Sequence, residues 1–308
     1  MVEEELREED FKLSEEEIKD YSKAGKILKQ LMDSWKPKIK PGMKLLEIAE
    51  GMEKEIIDLG GKPAFPVNLS RNNFAAHYTP KIDDETVVEE KDVLKVDAGV
   101  HVNGRIADSA FTLDFSGEQG KLLEASQEAL NNALSVLKPG LMLREIGLEI
   151  QKTIEGKGFK PVKNLSGHFL GDYLVHTGLS IPNYDNKDEM VLEDGMVFAI
   201  EPFASNGDGM VRNGNIIEIY QLIQARNCRN QDAKKIIERV AEEFMTLPFA
   251  ERWVAKELSL VRRRLAFKEL LEREILRTHP VLKDKEGSIV SQAETSVMIV
   301  DEEVIVLV

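Results

Sequence analysis

The stretch Val93 to Phe115, VLKVDAGVHVNGRIADSAFTLDF, carries two aspartates, Asp97 and Asp108, on either side of Asn103-Gly104. That dipeptide favours the type I′ turn of a two-residue β-hairpin. With Val102 set against Arg105 by the turn, counting back along both arms places Asp97 opposite Ala110 and Asp108 opposite Gly99. Both carboxylates then share one face as diagonal neighbours, their backbones roughly 7–8 Å apart. Val96, Ala98, Val100, Val102, Ala107, Phe111 and Leu113 take the other face, which is predicted to be core. On the hairpin alone the two aspartates read equally as solvated surface residues. Buried side by side they would repel or share a proton, and a cation between them removes the conflict. His101, on the same face nearer the turn, reads as a rim residue.

Other residues with chemistry stand in similar positions. Of five histidines, His77 sits in the run NNFAAHYTP, His168 sits in SGHFLG, and His176 precedes Thr177-Gly178. Glycine flanks suit a close backbone approach. His77 and His168 read as lying at corresponding ends of two related units. Glu201 completes the apolar strand Met196–Ile200, and Glu294 lies inside the apolar stretch Val290–Val300. A charge in either place needs a partner. Two Asp, one His and two Glu form an oxygen-rich set suited to a pair of divalent Mn, Fe, Co or Zn ions.

The elements that must position these residues show a repeat. Ser14 and Glu17 form a capping box ahead of an amphipathic helix ending near Pro37. A second helix follows Pro41-Gly42 and stops at Gly60-Gly61. Lys40-Pro41-Gly42 recurs as Lys138-Pro139-Gly140, and at the same offset Glu47-Ile48 recurs as Glu145-Ile146 and Lys62-Pro63 as Lys160-Pro161. Two α/β halves, about 20–115 and 120–205, are therefore predicted to pack around a pseudo-two-fold axis with the site near the seam. Residues 208–285 read as a helical, charged insertion, and Ser288–Val300 with Val304–Val308 as a last strand pair that rejoins the main sheet.

Composition limits the function. The 308 residues are enough for about two lobes. One cysteine, Cys228, excludes an internal disulfide framework and favours a reducing cytoplasm. A net charge of −14 argues against nucleic acid as a partner. The acidic segment MVEEELREED is unlike a signal peptide and reads as a loose or docked tail over residues 1–12. No apolar run is long enough to span a bilayer, so no membrane is expected. The absence of coiled-coil heptads favours a monomer.

With PAFPVNLSRNNFAAHYTP, KVDAGVHVNGRIADSAFTLDF, LSGHFLGDYLVHTG, MVFAIEPFAS and SQAETSVMIV in this order, the chain resembles the type 2 methionine aminopeptidases of the pita-bread metallopeptidase family over about 20–308. The lack of a long basic N-terminal extension resembles archaeal members. The resemblance implies an α+β pita-bread (creatinase/aminopeptidase) fold with an antiparallel central sheet. The catalytic domain would comprise 1–207 with 286–308, and a helical insertion subdomain would comprise 208–285. It implies two divalent ions (Co, Mn, Fe or Zn) held by Asp97, Asp108, His168, Glu201 and Glu294. Asp97, Asp108 and Glu294 would serve one ion with help from Glu201, and would be shared or split with the second; His168 would bind one ion only. Glu201 is the implied proton shuttle. His77 and His176 match non-ligand histidines beside the substrate, and Phe65 matches a wall of the methionine pocket. The implied reaction is attack of a metal-bridging hydroxide on the N-terminal methionine of nascent proteins and peptides, with a small second residue preferred. The resemblance also allows ribosome association. Relatives often carry His where this chain has Thr295, which would alter the surroundings of the metal ligands. Two rivals remain: a proline-specific peptidase, which would carry a separate N-terminal domain, and a non-enzymatic relative, which would lose ligands and gain basic tails.

Overall fold

The computed structural model describes residues 12–308. The charged segment 1–12 lies, apart from Lys12, outside the described residues. Ser14 caps helix α1 (Glu15–Trp35) reciprocally with Glu17, so orphan amides at the helix start are satisfied locally. Its apolar stripe, including Ala24, Leu28 and Leu31, is fully buried. Helix α2 (Leu45–Asp58) follows the turn at Gly42 and buries Ile48, Met52 and Ile56. Short strands β1 (Lys62–Pro63), β2 (Asn68–Arg71) and β3 (Phe74–Ala76) then lead to the hairpin β4 (Val93–Val102) and β5 (Arg105–Asp114).

The second half repeats the plan with α3 (Gly120–Val136), α4 (Leu143–Gly156), β6 (Lys160–Pro161), β7 (Ser166–Phe169), β8 (Ser180–Pro182), β9 (Val197–Ile200) and β10 (Phe203–Ser205). The duplication reaches single hydrogen bonds. Gly42 N–H donates to the Val88 carbonyl at 2.8 Å and Gly140 N–H to the Leu192 carbonyl at 2.7 Å. Val88 N–H returns to Met43 and Leu192 N–H to Leu141, both at 2.9 Å. Both glycines hold positive φ, +90° and +78°, where a side chain would be strained.

After the inserted segment come β14 (Val290–Gln292), β15 (Glu294–Val300) and β16 (Glu303–Val306). The main sheet runs β1-β4-β5-β15-β9-β7-β8, with β2 on β4 and β16 on β15, and every pairing is antiparallel. The seam is β5 against β15, where Ala110 faces Glu294. One apolar core packs α1 and α2 on the first half of the sheet, and another packs α3 and α4 on the second. The helices therefore cover one face and leave the other for the site.

The inserted segment is not all helix. Helices α5 (Gln231–Glu243), α6 (Glu251–Ala255) and α7 (Leu260–Glu272) are framed by two long paired strands, β11 (Arg212–Leu222) and β13 (Leu276–Lys283), with β12 (Phe249–Ala250) at the edge. Residues of β11 are mostly exposed or half-buried, so the hydrophobic alternation that marks a strand is weak there. β13 also pairs with β3 of the first half. A buried pair locks this arrangement. Arg252 of α6 donates to Glu53 of α2, to Thr79 Oγ1 at 2.8 Å and to the Pro80 carbonyl at 3.2 Å. Glu53 also accepts from Trp253 Nε1 at 2.8 Å and Val67 N–H at 3.1 Å.

Candidate metal centre

Hairpin register places Asp97 against Ala110 and Asp108 against Gly99, with Asn103 and Gly104 at φ 50° and 89° in the turn. The face opposite the aspartates packs into the first-half core. Asp108 is tied to the seam from both sides, its N–H donating to Ser296 Oγ at 2.6 Å and its carbonyl accepting from that hydroxyl at 2.8 Å. Glu201 follows the fully buried strand β9, and Glu294 opens β15. Because Ile200 faces Thr295, Glu201 and Glu294 fall side by side at the same sheet end. His168 comes from β7, opposite Ala199. A Cβ on its neighbour Gly167 would lie 2.2 Å from the Ala199 carbonyl oxygen, so glycine allows the close strand approach.

His168 Nε2 lies 3.6 Å from Asp108 Oδ2, 3.8 Å from Glu201 Oε1 and 4.0 Å from Glu294 Oε1. Among the described residues no Lys or Arg pairs with Asp97, Asp108, Glu201 or Glu294. Burial, helped by no cationic neighbour, pushes the Asp97 carboxyl up to about 7. Burial and then the charge of Asp97 raise Asp108 well above the carboxylate range; burial and the neighbouring acids do the same for Glu201 and Glu294. Burial, then His176, holds His168 neutral. Asp97 Oδ1 and Asp108 Oδ1 are buried without a hydrogen-bond partner. Four carboxylates and a neutral imidazole aimed inward, with orphaned oxygens and no countercharge, fit a site for divalent cations. Gln292 Nε2 sits 3.3 Å from both Glu201 Oε2 and Glu294 Oε2 and holds the two carboxylates in place.

Above the carboxylates lies a cavity of about 220 Å³. Its walls include Phe65, Val175, Phe203, Ile219 and Leu282. Phe65 lies so close to β4 that a Cβ at Gly99 would meet its ring at 2.4 Å, so glycine opposite Asp108 makes room for this wall. His77 occupies φ 66°, a strained conformation for a residue with a side chain. Its Nδ1 lies 3.3 Å from the Pro280 carbonyl, which can only accept, so Nδ1 carries the proton and Nε2 is left as an acceptor. His176 packs over His168, ring centroids 4.0 Å apart, and burial lowers its pKa to about 4.

All eight residues singled out in the sequence, Phe65, His77, Asp97, Asp108, His168, His176, Glu201 and Glu294, line this one cavity. Three finer expectations change. His168 does not occupy the repeat position of His77: it belongs to β7, whose counterpart is β2, whereas His77 lies beyond β3. His101 is no rim residue; it is 4% exposed, accepts from Gly104 N–H through Nδ1 and meets Tyr173 edge-on. Thr295 does not reach the ligands, because it alternates to the other face of β15 from Glu294 and donates to the Val308 carbonyl at 3.2 Å.

Sequence reasoning missed His279, Gln292 and Asn68. His279 lines the cavity edge-on to His77, with Nε2 3.2 Å from Gln221 Oε1, and burial and the nearby histidines push its pKa down to about 3. It was hidden by the helical reading of the inserted segment. Gln292, two residues before Glu294, had a spacing signal in a strand; Asn68 had none.

The model of metallopeptidase family M24 matches residues 19–221. A protein of Archaeoglobus fulgidus described as methionine aminopeptidase is 46% identical over 90% of this chain and 94% of its own length. A protein of Methanocaldococcus jannaschii with the same description is 43% identical over 92% of this chain and 97% of its own. Among solved structures, that of a thermophilic Arx1 superposes with a TM-score of 0.83 at 17% identity, covering 96% of this chain and 91% of that one. At that identity the likeness concerns the fold alone.

Proposed function

The chain belongs to metallopeptidase family M24, and from that premise we propose that it is a metal-dependent aminopeptidase that removes the N-terminal methionine from peptides and nascent chains. One observation carries the reading at the level of the site: a buried Asp108, His168 and Glu294 group, with Asp97 and Glu201 beside it and no Lys or Arg partner among the described residues, floors a cavity of about 220 Å³ with apolar side walls. Asp97, Asp108, Glu201 and Glu294 would hold two divalent ions (Co, Mn, Fe or Zn), and His168 would ligate one of them. Bound there, such a pair supplies Lewis acidity and brings the pKa of water towards neutrality.

The remaining work falls to the chain's own groups. Glu201 has Oε2 held by Gln292 Nε2 and Oε1 3.8 Å from His168 Nε2 at the cavity floor, where it would take a proton from the attacking water and return it to the leaving amine. His77, with its acceptor Nε2, receives the N–H of the scissile amide. His176, neutral in its buried setting, donates a hydrogen bond to the oxygen on which charge develops. Phe65, Phe203 and Ile219 surround the methionine side chain. A small second residue is preferred, as the family resemblance implies. The working form is taken as a cytoplasmic monomer that meets nascent chains at the ribosome. No described helix is long and apolar enough to cross a membrane.

The test is metal analysis together with hydrolysis of Met-Ala-Ser and of Xaa-Pro peptides. Manganese uptake with methionine release from Met-Ala-Ser alone is expected. Cleavage of Xaa-Pro instead, or neither metal nor turnover, would refute the proposal.

A further inference from the structure

Asn68 is 4% exposed, lines the cavity and stands directly opposite Asp97 in the β2–β4 register. Residues paired in this way project to the same face of the sheet, with Cβ atoms roughly 4.5–5.5 Å apart. The amide orientation of Asn68 is set by its own strand: Nδ2 donates to the Pro66 carbonyl at 3.2 Å, which turns Oδ1 away from it. That oxygen is buried and has no hydrogen-bond partner. A buried acceptor left unmatched costs about 1–3 kcal/mol, so a ligand that supplies a donor recovers a substantial interaction.

On the function proposed above, the ligand is a peptide beginning with methionine, and its donors are few. The thioether side chain has none and a carbonyl has none, which leaves the α-amine and the backbone amides. The scissile amide N–H is matched by His77 Nε2. The α-amine is the donor left over; unprotonated beside the ions that Asp97 would hold, it keeps N–H groups that an amide oxygen can accept. We propose that Asn68 is a substrate-binding residue whose Oδ1 accepts a hydrogen bond from the free α-amine of the N-terminal methionine, and that it contributes to confining cleavage to a chain terminus. This assignment rests on the aminopeptidase reading and adds a recognition element for the amine that lies outside the five candidate metal ligands.

Asn68→Leu removes the acceptor, and with it the donor to Pro66, while keeping the branching of the side chain, and Asn68→Asp keeps an oxygen in the same place. The manganese-loaded wild type and variants are assayed on Met-Ala-Ser, with 4-(methylthio)butanoyl-Ala-Ser, the same peptide without its amine, as competitive inhibitor. Asn68→Leu is expected to raise KM roughly 10- to 100-fold with little change in kcat, the loss of the interaction gained by matching a buried acceptor. The inhibition constant of the amine-free peptide and manganese affinity followed by electron paramagnetic resonance should stay at wild-type values. Asn68→Asp should hold KM within a few-fold of wild type. An unchanged KM, an equal loss for peptide and amine-free inhibitor, or a fall in manganese affinity would each overturn the assignment. If Asn68→Leu does not fold, Asn68→Ala is put to the same comparison. A wild type that releases no methionine would defeat the aminopeptidase reading itself and this inference with it, an outcome separate from a normal wild type with an indifferent variant.

Discussion

Glu53→Ala tests whether helix α6 and the wall of the cavity are held by one buried anchor. Glu53 is 7% exposed and accepts from three donors: Arg252, Trp253 Nε1 and the Val67 amide. Its removal leaves the Arg252 guanidinium, itself 4% exposed, without its carboxylate. An uncompensated buried charge of this kind costs about 3–5 kcal/mol. That is a large part of the roughly 5–15 kcal/mol that holds an ordinary domain together. Val67 lies between Phe65 and Asn68, so the loss should also raise KM through the cavity wall rather than through the metal ligands. Urea unfolding measures the stability term. The double variant Glu53→Leu with Arg252→Met replaces both charges by apolar groups and should recover most of the loss, because a buried ion pair stabilises little relative to a packed apolar pair. A single-variant cost below about 1 kcal/mol, or a double variant that loses the sum of both singles, would refute the reasoning.

Asp108→Asn and His168→Ala should leave folded proteins in which activity falls more than about 100-fold, since removing a ligand costs at least as much as removing a group that orients one; near-normal turnover at saturating metal would sink the ligand assignment. His176→Ala should retain metal and lose about 10²–10³ in rate, the range found for single donors to a developing oxyanion, and His77→Ala should retain metal and lose rate through misplacement of the scissile amide; metal loss in both would recast them as ligands. Burial, with a smaller push from Lys62, holds His101 neutral with its pKa lowered from 6.5 to about 4. A depressed histidine contributes stability that is complete above pH 6.5 and is lost as pH falls towards 4, here up to roughly 3 kcal/mol. Urea midpoints of His101→Phe and wild type should therefore converge between pH 6.5 and 4, and parallel curves would contradict this. Thr295→Val should cost about 1 kcal/mol for the Val308 carbonyl it leaves unpaired and should change kcat less than twofold; a large fall in kcat would place Thr295 at the ligands after all.

Much of the site could be read from local pattern because its first part is local. An Asn-Gly turn with alternating apolar residues admits one register for β4 and β5, and that register puts Asp97 and Asp108 on one face wherever the hairpin lies in the molecule. The two Lys-Pro-Gly turns likewise foretell two halves, since each needs the same positive-φ glycine to aim its helix back along the sheet. Reading failed where a strand carries little alternation. β11 and β13 looked helical because their charged, half-exposed faces hide the period, and His279 went unseen with them.

Amino-acid order alone thus foretold the hairpin and the two repeated halves and singled out the acids that line the cavity, the first two as consequences of turn chemistry and side-chain alternation over a few residues. Only long-range sheet pairing brought β5 against β15 and β9 beside them, which placed His168 within 4.0 Å of three carboxylates from three strands. It also buried His101, turned Thr295 to the far face and left Asn68 Oδ1 without a partner in the cavity. Those outcomes depend on which surfaces meet and exclude water, and no spacing along a single chain encodes that.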